Sequence, residues 1–274
     1  MRLFLANIIA IFAKLVTFGL SPMRRRDARI VARDLLSANY PIGTDRGQIV
    51  FDANTRYGFR AAWNFVNTDA DTLAWLNSLP EEGCYWDIGA NAGVYCLFAA
   101  LRPNLRVIAF EPSANSYALL NRNIEINQLS DRISAYCIAF AKETKLDVLN
   151  MARTDAGLSM HGFGTEVNQY DTLIDTKFRQ GAVGYSIDDF AKTFSPSMPT
   201  HVKVDVDGIE ADIIRGGRET LSVDTLQSMM VEIEGNLESA RNQELFELMR
   251  ELGFKPRPKT SPNFSNVIFY RTTF

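Results

Sequence analysis

Cys84-Tyr-Trp-Asp-Ile-Gly-Ala-Asn-Ala-Gly-Val-Tyr95 reads as a short buried strand (Tyr85 to Ile88), a glycine-hinged turn (Gly89 to Gly93) and the start of a helix running to Leu101. Glycine lets the backbone come close to a ligand and a helix N-terminus offers unpaired N–H groups, so the stretch predicts a nucleotide-cofactor site. The next strand, Arg106-Val-Ile-Ala-Phe-Glu-Pro112, ends on an acid. Glu111 lies 18 positions past Gly93, close to the ~20-residue offset at which an acidic side chain meets ribose hydroxyls in such units. The two signals together are much stronger than either alone.

Downstream, Pro112 and Ser113 open a helix from Tyr117 to Asn127, with Asn123 and Asn127 on one face. Ile133 to Phe140 reads as a third strand, and Lys145 to Met151 and Ala182 to Ile187 as further extended pieces. Between them, Ala152 to Gly181 is polar and aperiodic, which predicts loops or a hairpin near the mouth of the site. His201-Val-Lys-Val-Asp-Val-Asp-Gly-Ile-Glu210 then alternates: Val202, Val204 and Val206 face one way and Lys203, Asp205 and Asp207 the other. A central strand covered on both faces should be apolar on both sides, so charges there must be paired or used. Met229 to Gly235 repeats the pattern, setting Glu232 and Glu234 against Val231 and Ile233. Two strands thus bring acids to their C-terminal ends, where ligands bind in open α/β sheets. A helix from Gln243 to Leu252 and a strand from Asn266 to Arg271 close the chain.

Upstream, residues 3–20 are apolar except for Asn7, Lys14 and Thr17, which form one narrow polar stripe on a helix. Two readings stand side by side: contact with a membrane surface through residues 3–20, or packing on the protein's own body or on a second subunit of a homo-oligomer. A membrane span is disfavoured, because the run is at the short limit of ~18 to 20 residues and Lys14 is costly at its middle. A cleaved signal peptide is disfavoured too, since no small-residue cleavage site follows. Arg24, Arg25, Arg26, Arg29 and Arg33 come next, and at a membrane they would sit on the cytoplasmic side. From Asp34 to Pro80 the pattern is mixed, with a strand at Gln48 to Asp52, a helix at Phe59 to Val66, and a helix through Leu79 capped by Asp69 or Asp71. The expected organisation is an apolar helix over 1–23, a lead-in over 24–69 and one large α/β domain over 70–274.

The 274 residues are 46% hydrophobic and 22% charged, ordinary for a soluble globular protein, and the net charge of −3 gives no global attraction to nucleic acid. No nucleic-acid partner is expected. The three cysteines, Cys84, Cys96 and Cys137, form no CxxC pair. They read as structural thiols of a reducing, cytoplasmic compartment, without disulfide or metal.

With Asp87-Ile-Gly-Ala-Asn-Ala-Gly93, Phe110-Glu-Pro112, Ser186-Ile-Asp-Asp189 and Lys203-Val-Asp-Val-Asp-Gly-Ile-Glu210 in this order, the chain resembles the FkbM family of S-adenosylmethionine-dependent methyltransferases over residues 70–271. The resemblance implies a Rossmann-like seven-stranded sheet of the class I methyltransferase kind, mostly parallel with the last strand antiparallel and helices on both faces. It implies O-methylation of a hydroxyl on a sugar, glycan, lipid or secondary metabolite. By motif position, Asp87, Gly89, Asn91 and Gly93 would line the methionine end of S-adenosylmethionine, Glu111 would hold the ribose, and Ile138 and Ala139 would lie near adenine. Asp205, Asp207 and Glu210 match the family's acidic motif, which usually reads Asp-x-Glu-Gly, so Asp207 replaces a glutamate by a shorter acid.

Methyl transfer to a hydroxyl needs a positioned donor and a path for the departing proton. Asp205 is the first candidate for organising the acceptor, with Asp207, Glu210, Glu232 and Glu234 close behind. Against this stands a structural account in which Lys203 merely pairs with Asp205 and Glu210 stabilises the first turn of a helix. His161, in the variable loop region, is a candidate acceptor-binding group or a solvated loop histidine; His201 reads as structural. Tyr85, Trp86 and Phe110 read as core. A divalent cation held by the acids is a minor alternative, and no metal ligand is assigned. Two other functions share the pattern: a dinucleotide-dependent oxidoreductase, against which the turn lacks G-x-G-x-x-G, and a membrane-associated binding protein without catalysis.

Overall fold

The computed structural model describes residues 2–66, 70–168, 170, 172–233, 239–258 and 266–272. It comprises two compact units, Met1–Asn39 and Tyr40–Phe274. The first is a helix pair, α1 (Arg2–Val16) and α2 (Pro22–Leu35). Ser21 caps α2 by accepting from the Arg24 amide, and Pro22 starts the helix where its missing N–H costs nothing.

The larger unit opens with a hairpin, β1 (Asn39–Thr44) and β2 (Gly47–Asp52), then α3 (Arg56–Val66) and α4 (Ala70–Ser78). The α/β repeat follows as β3 (Glu82–Ile88), α5 (Val94–Ala99), β4 (Asn104–Phe110), α6 (Ala114–Ile126) and β5 (Ile133–Tyr136). A second group comprises β6 (Ala139–Phe140), β7 (Lys145–Met151), β8 (Gly162–Phe163) and β9 (Phe178–Tyr185). The chain returns through α7 (Ile187–Phe194), β10 (His201–Val204), α8 (Glu210–Arg215), α9 (Arg218–Leu221) and β11 (Ser228–Glu232). It ends on α10 (Ala240–Glu251), β12 (Phe254–Pro256) and β13 (Asn266–Arg271).

The main sheet has seven strands in the order β12-β13-β11-β10-β3-β4-β5. β13 runs antiparallel to both its neighbours, and the other pairings are parallel. This is the expected Rossmann-like arrangement. Strand order reverses between β3 and β10, so the crevice at their C-terminal ends is the place for a ligand. Period-two alternation sorts the buried side chains into two cores, one on each face. Cys84, Trp86, Ile88, Val202, Val204 and Val231 face one core; Tyr85, Val107, Ala109 and Met230 face the other. On the first face Trp86, Phe110, Phe140 and Phe190 pack edge to face, with the Phe110 and Phe140 ring centroids 4.7 Å apart.

The lead-in over residues 40–66 is tied to the α/β core by two asparagines one turn apart, Asn123 on α6 and Asn127 at its C-cap. Asn127 exchanges hydrogen bonds with both backbone groups of Val50, at 2.8 and 2.7 Å. Asn123 accepts from the Asp52 amide at 2.7 Å and donates to the Ala92 carbonyl at 2.8 Å. The shared face expected for these residues thus holds the edge of β2.

Several boundaries differ from expectation. The stretch Ile133 to Phe140 is two strands, because the chain leaves the main sheet after Tyr136 and pairs through Ala139 and Phe140 with β9. β6, β9, β7 and β8 form a separate four-stranded sheet. β9 starts at Phe178, inside the segment expected to be loop, and ends at Tyr185. β10 ends at Val204: Asp207 has φ 63°, so the alternation read through Asp207 stops before Asp205. Cys84 and Cys96 are buried and free, whereas Cys137 is free and exposed rather than a core thiol. Asp69 and Glu234 lie outside the described residues.

Candidate active site

The crevice at the sheet's switch point is a cavity of about 660 Å³, within the range of small-molecule sites. One wall is the turn after β3. Gly89 and Gly93 have φ 81° and 86°, and Asn91 between them has φ 51°. A side chain on Gly89 would collide with the Asp205 carbonyl, and one on Gly93 with Leu120. Gly89, Ala90, Asn91 and Ala92 line the cavity, while Gly93 shapes the turn from behind. The Asn91 side-chain oxygen is buried without a hydrogen-bond partner.

Glu111 stands at the end of β4, as its offset predicts. Its two oxygens accept from the Asn91 and Ser113 amides, each at 2.8 Å, so this carboxylate shapes the turn as well as lining the cavity. Burial pushes it up to about 7, against the pull of those two amides. Each oxygen keeps a further lone pair for an incoming O–H donor. Ile138 and Ala139 line the cavity with Phe110 and Phe140.

The floor is built around Lys203. Asp87 and Lys203 are register partners on adjacent parallel strands. The Lys203 ammonium lies 3.2 Å from Asp87 Oδ1, 3.1 Å from Asp205 Oδ2 and 3.3 Å from the Gly89 carbonyl oxygen, and 5.0 Å from the Tyr95 ring centroid. Burial alone would lower its pKa, but Asp205, Asp87 and Tyr95 outweigh burial and hold it above the ordinary lysine value. Asp87 is fully buried, raised by desolvation against the pull of Lys203, and does not line the cavity. Its expected role of lining the cofactor is corrected to positioning: it holds Lys203 under the turn. The single pairing of Lys203 with Asp205 likewise becomes a bridge across two carboxylates.

Asp205 lines the cavity with a side chain 29% exposed, and its amide donates to the Ile88 carbonyl. Glu232, at the end of β11, lines the same cavity and is hydrogen-bonded to Asp205. The charge of Asp205, then burial, holds Glu232 far above the usual carboxylate range.

Asp207 lines the cavity but is engaged by the loop above it: its carboxylate accepts from the Met160 amide. Burial and the neighbouring Asp205 push it up to about 7. Glu210 is a correction. Its Oε1 accepts from the Val206 and Gly208 amides, at 3.3 and 3.0 Å, its Oε2 is 3.8 Å from Arg241, and it lies outside the cavity. It holds the turn between β10 and α8, because a buried acid at the start of a helix finds the backbone donors of the preceding turn.

His161 also lines the cavity, and neither ring nitrogen has a hydrogen-bond partner. Burial lowers it to about 4, so the ring is neutral at pH 7 rather than a solvated loop histidine. His201 is structural: it is buried and its Nδ1 lies 2.7 Å from Ser228 Oγ. Gly157 to His161 and Tyr170 come from the loop region, and Tyr57, Arg60 and Asn64 come from α3, the helix expected at Phe59 to Val66, although none of these three was a candidate site residue. Among the described residues, no group of three or more His, Cys, Asp or Glu is placed to hold a metal ion.

The family model of the methyltransferase FkbM domain matches residues 87–256. The chain belongs to the FkbM methyltransferase family. Its fold is similar to that of methyltransferase FkbM from Methylobacillus flagellatus KT, at 16% identity and TM-score 0.46. That likeness covers 71% of this chain and 45% of the other, so the chain spans less than half of that relative. It is also similar to precorrin-6y C5,15-methyltransferase from Geobacter metallireducens GS-15, at 12% identity and TM-score 0.44, over 74% and 87% of the two chains. No curated protein matches the chain.

The cofactor of an FkbM methyltransferase is S-adenosylmethionine, and the residues present fit it. The unpartnered Asn91 oxygen, the open lone pairs of Glu111 and the apolar patch at Ile138 and Ala139 sit on one side of the cavity. By motif position they would hold, in turn, the methionine end, the ribose diol and the adenine ring of that cofactor. The family assignment sets aside the oxidoreductase reading.

Proposed function

We propose that this FkbM-family chain is an O-methyltransferase whose acceptor is a hydroxyl of a sugar, glycan, lipid or other secondary metabolite. The observation that carries this reading is Asp205, partly open to the same cavity as the cofactor turn, with the Lys203 ammonium 3.1 Å away on one side and Glu232 on the other.

S-adenosylmethionine supplies an electrophilic methyl group when bound. A hydroxyl oxygen attacks such a centre only as its proton leaves, and a carboxylate at the cavity floor is a fitting acceptor. Lys203 adds a fixed positive charge beside the oxygen that is losing its proton, in a water-poor setting where that charge counts for more than in bulk water. Asp87 keeps Lys203 in place, and Glu111 and the Gly89 to Ala92 turn orient the donor side.

The opposite wall supports a hydroxylated acceptor. Tyr57, Arg60, Asn64, Ser159 and Tyr170 supply hydrogen-bonding groups there, and the neutral His161 ring both donates and accepts. The setting we favour is the cytoplasm, in keeping with the free thiols of Cys84, Cys96 and Cys137.

The test has two parts. Saturating S-adenosylhomocysteine, at about 100 times its dissociation constant, should raise the melting temperature by about 5 to 10 °C, with NAD as the inert control. Methyl-labelled cofactor should then transfer label to pooled hydroxylated acceptors as an ether that survives mild base. Label released by mild base, as from a methyl ester, overturns the hydroxyl acceptor, and label found on nitrogen or carbon overturns O-methylation.

A further inference from the structure

We propose that the helix pair of residues 2–35 is a docking surface for an anionic lipid bilayer. The inference is independent of the catalytic reading and rests on two surfaces within one compact unit.

α1 is apolar and unusually bare. Phe4, Phe12, Leu15 and Phe18 are 67%, 64%, 69% and 77% exposed, and Ile8 and Ile9 are exposed as well. An isolated helix does not leave that much apolar surface in water without a partner. The helix has 15 residues, about 22 Å at 1.5 Å per residue, which is short of a ~30 Å hydrocarbon core. No described helix is long and apolar enough to cross a membrane. An apolar helix of this length lies in the interface and buries one side among the acyl chains.

α2 supplies the complementary charge. It carries five arginines against two aspartates, Asp27 and Asp34. Pro22, Arg25, Arg26, Arg29, Ile30 and Arg33 recur at helical spacing on one face and border a shallow groove of about 330 Å³. Arg25 is committed to the corner: its guanidinium donates to the Thr17, Phe18 and Leu20 carbonyls, capping the end of α1. Arg33 is shared with Asp34 at 2.8 Å, a fully solvated pair that a phosphate can displace. Arg26, Arg29 and Arg33 thus lie on the helix that follows the apolar one, across a corner that Arg25 holds in shape.

Apolar side chains next to guanidinium groups match the two layers of a bilayer with acidic headgroups. A nucleic acid would satisfy the arginines but leave Phe4, Phe12 and Phe18 in water.

The test is co-sedimentation of the full chain with vesicles of phosphatidylcholine alone and of phosphatidylcholine mixed with phosphatidylglycerol. Binding to the mixed vesicles and its weakening by salt are expected. The Arg26→Glu/Arg29→Glu/Arg33→Glu variant should partition about a hundredfold more weakly, at several-fold per arginine. Phe12→Asp should also release the protein. Both variants must keep the S-adenosylhomocysteine-dependent melting shift of the parent, which shows that the larger unit is folded. No vesicle binding, binding equal on neutral and acidic vesicles, or retention only by heparin or RNA overturns the proposal. So does a stable dimer whose formation excludes vesicles.

Discussion

A Cβ placed on Gly89 would lie 1.8 Å from the carbonyl oxygen of Asp205. The glycine turn and the acidic end of β10 are therefore in backbone contact, and two walls of the cavity are set by one close approach. Gly89→Ala combines that collision with a left-handed φ of 81°. It should cost at least about 3 kcal/mol in urea unfolding and abolish the S-adenosylhomocysteine melting shift. Gly43→Ala, with nothing within 4 Å, is the matched control and should change stability by under about 0.5 kcal/mol.

Lys203 bridges two carboxylates while almost fully buried. Replacing it with methionine leaves Asp87 without its counter-ion, which for a broken buried pair costs about 3 to 5 kcal/mol. Lys203→Met with Asp87→Asn should be more stable than Lys203→Met alone. A double variant as unstable as the sum of the singles would show that the two residues do not act as a pair.

Asp205 and Glu210 should separate by assay. Asp205→Asn should lower kcat by about 10² to 10⁴ fold while S-adenosylhomocysteine still binds. Glu210→Ala frees the Val206 and Gly208 amides from their acceptor and should cost about 1 to 3 kcal/mol. Glu210→Gln, which keeps an oxygen toward those amides, should recover most of that stability and most of the activity. A kcat loss for Glu210→Gln as large as that for Asp205→Asn would return Glu210 to the chemistry.

Stability of the ligand-free protein should fall as pH rises through neutrality. Burial pushes Glu111 up to about 7, against the Ser113 and Asn91 amides and Lys203 and with the charge of Asp207 adding. Asp207 is pushed up to about 7 by burial and Asp205. Unfolded, both titrate near 4. A raised folded pKa means the folded state holds its proton more tightly, so this contribution is complete below about pH 4 and is lost as pH rises through about 7. The melting temperature should therefore drop between about pH 5 and pH 8, with a smaller drop in Glu111→Gln. A melting temperature that climbs over that interval, or an unchanged slope in the variant, would contradict the assignment.

The features legible in the sequence are those with a local cause. Tyr85 to Ile88 was legible as a short buried strand, and alternation marked the strand at Val202 to Val204 because successive side chains on a strand must point to opposite faces. The Gly89 to Gly93 turn was legible because positive φ at close quarters calls for glycine. Glu111 followed from the length of one strand-helix-strand unit. The order of the four motifs pointed to the FkbM family.

What only the tertiary structure decided depends on which distant strands become neighbours. Lys203 reaches the Gly89 carbonyl across 114 residues of sequence, and Met160 reaches Asp207 across 47. Asp87 became a support for Lys203, and Glu210 a brace for its own turn, because the sheet order sets β10 beside β3 and the chain turns sharply at Asp207. The sequence by itself determined the α/β fold class, the family and the glycine turn with Glu111 at the next strand's end, since each rests on short-range spacing. The division of labour among the acids was settled by burial and long-range pairing, which no local pattern encodes.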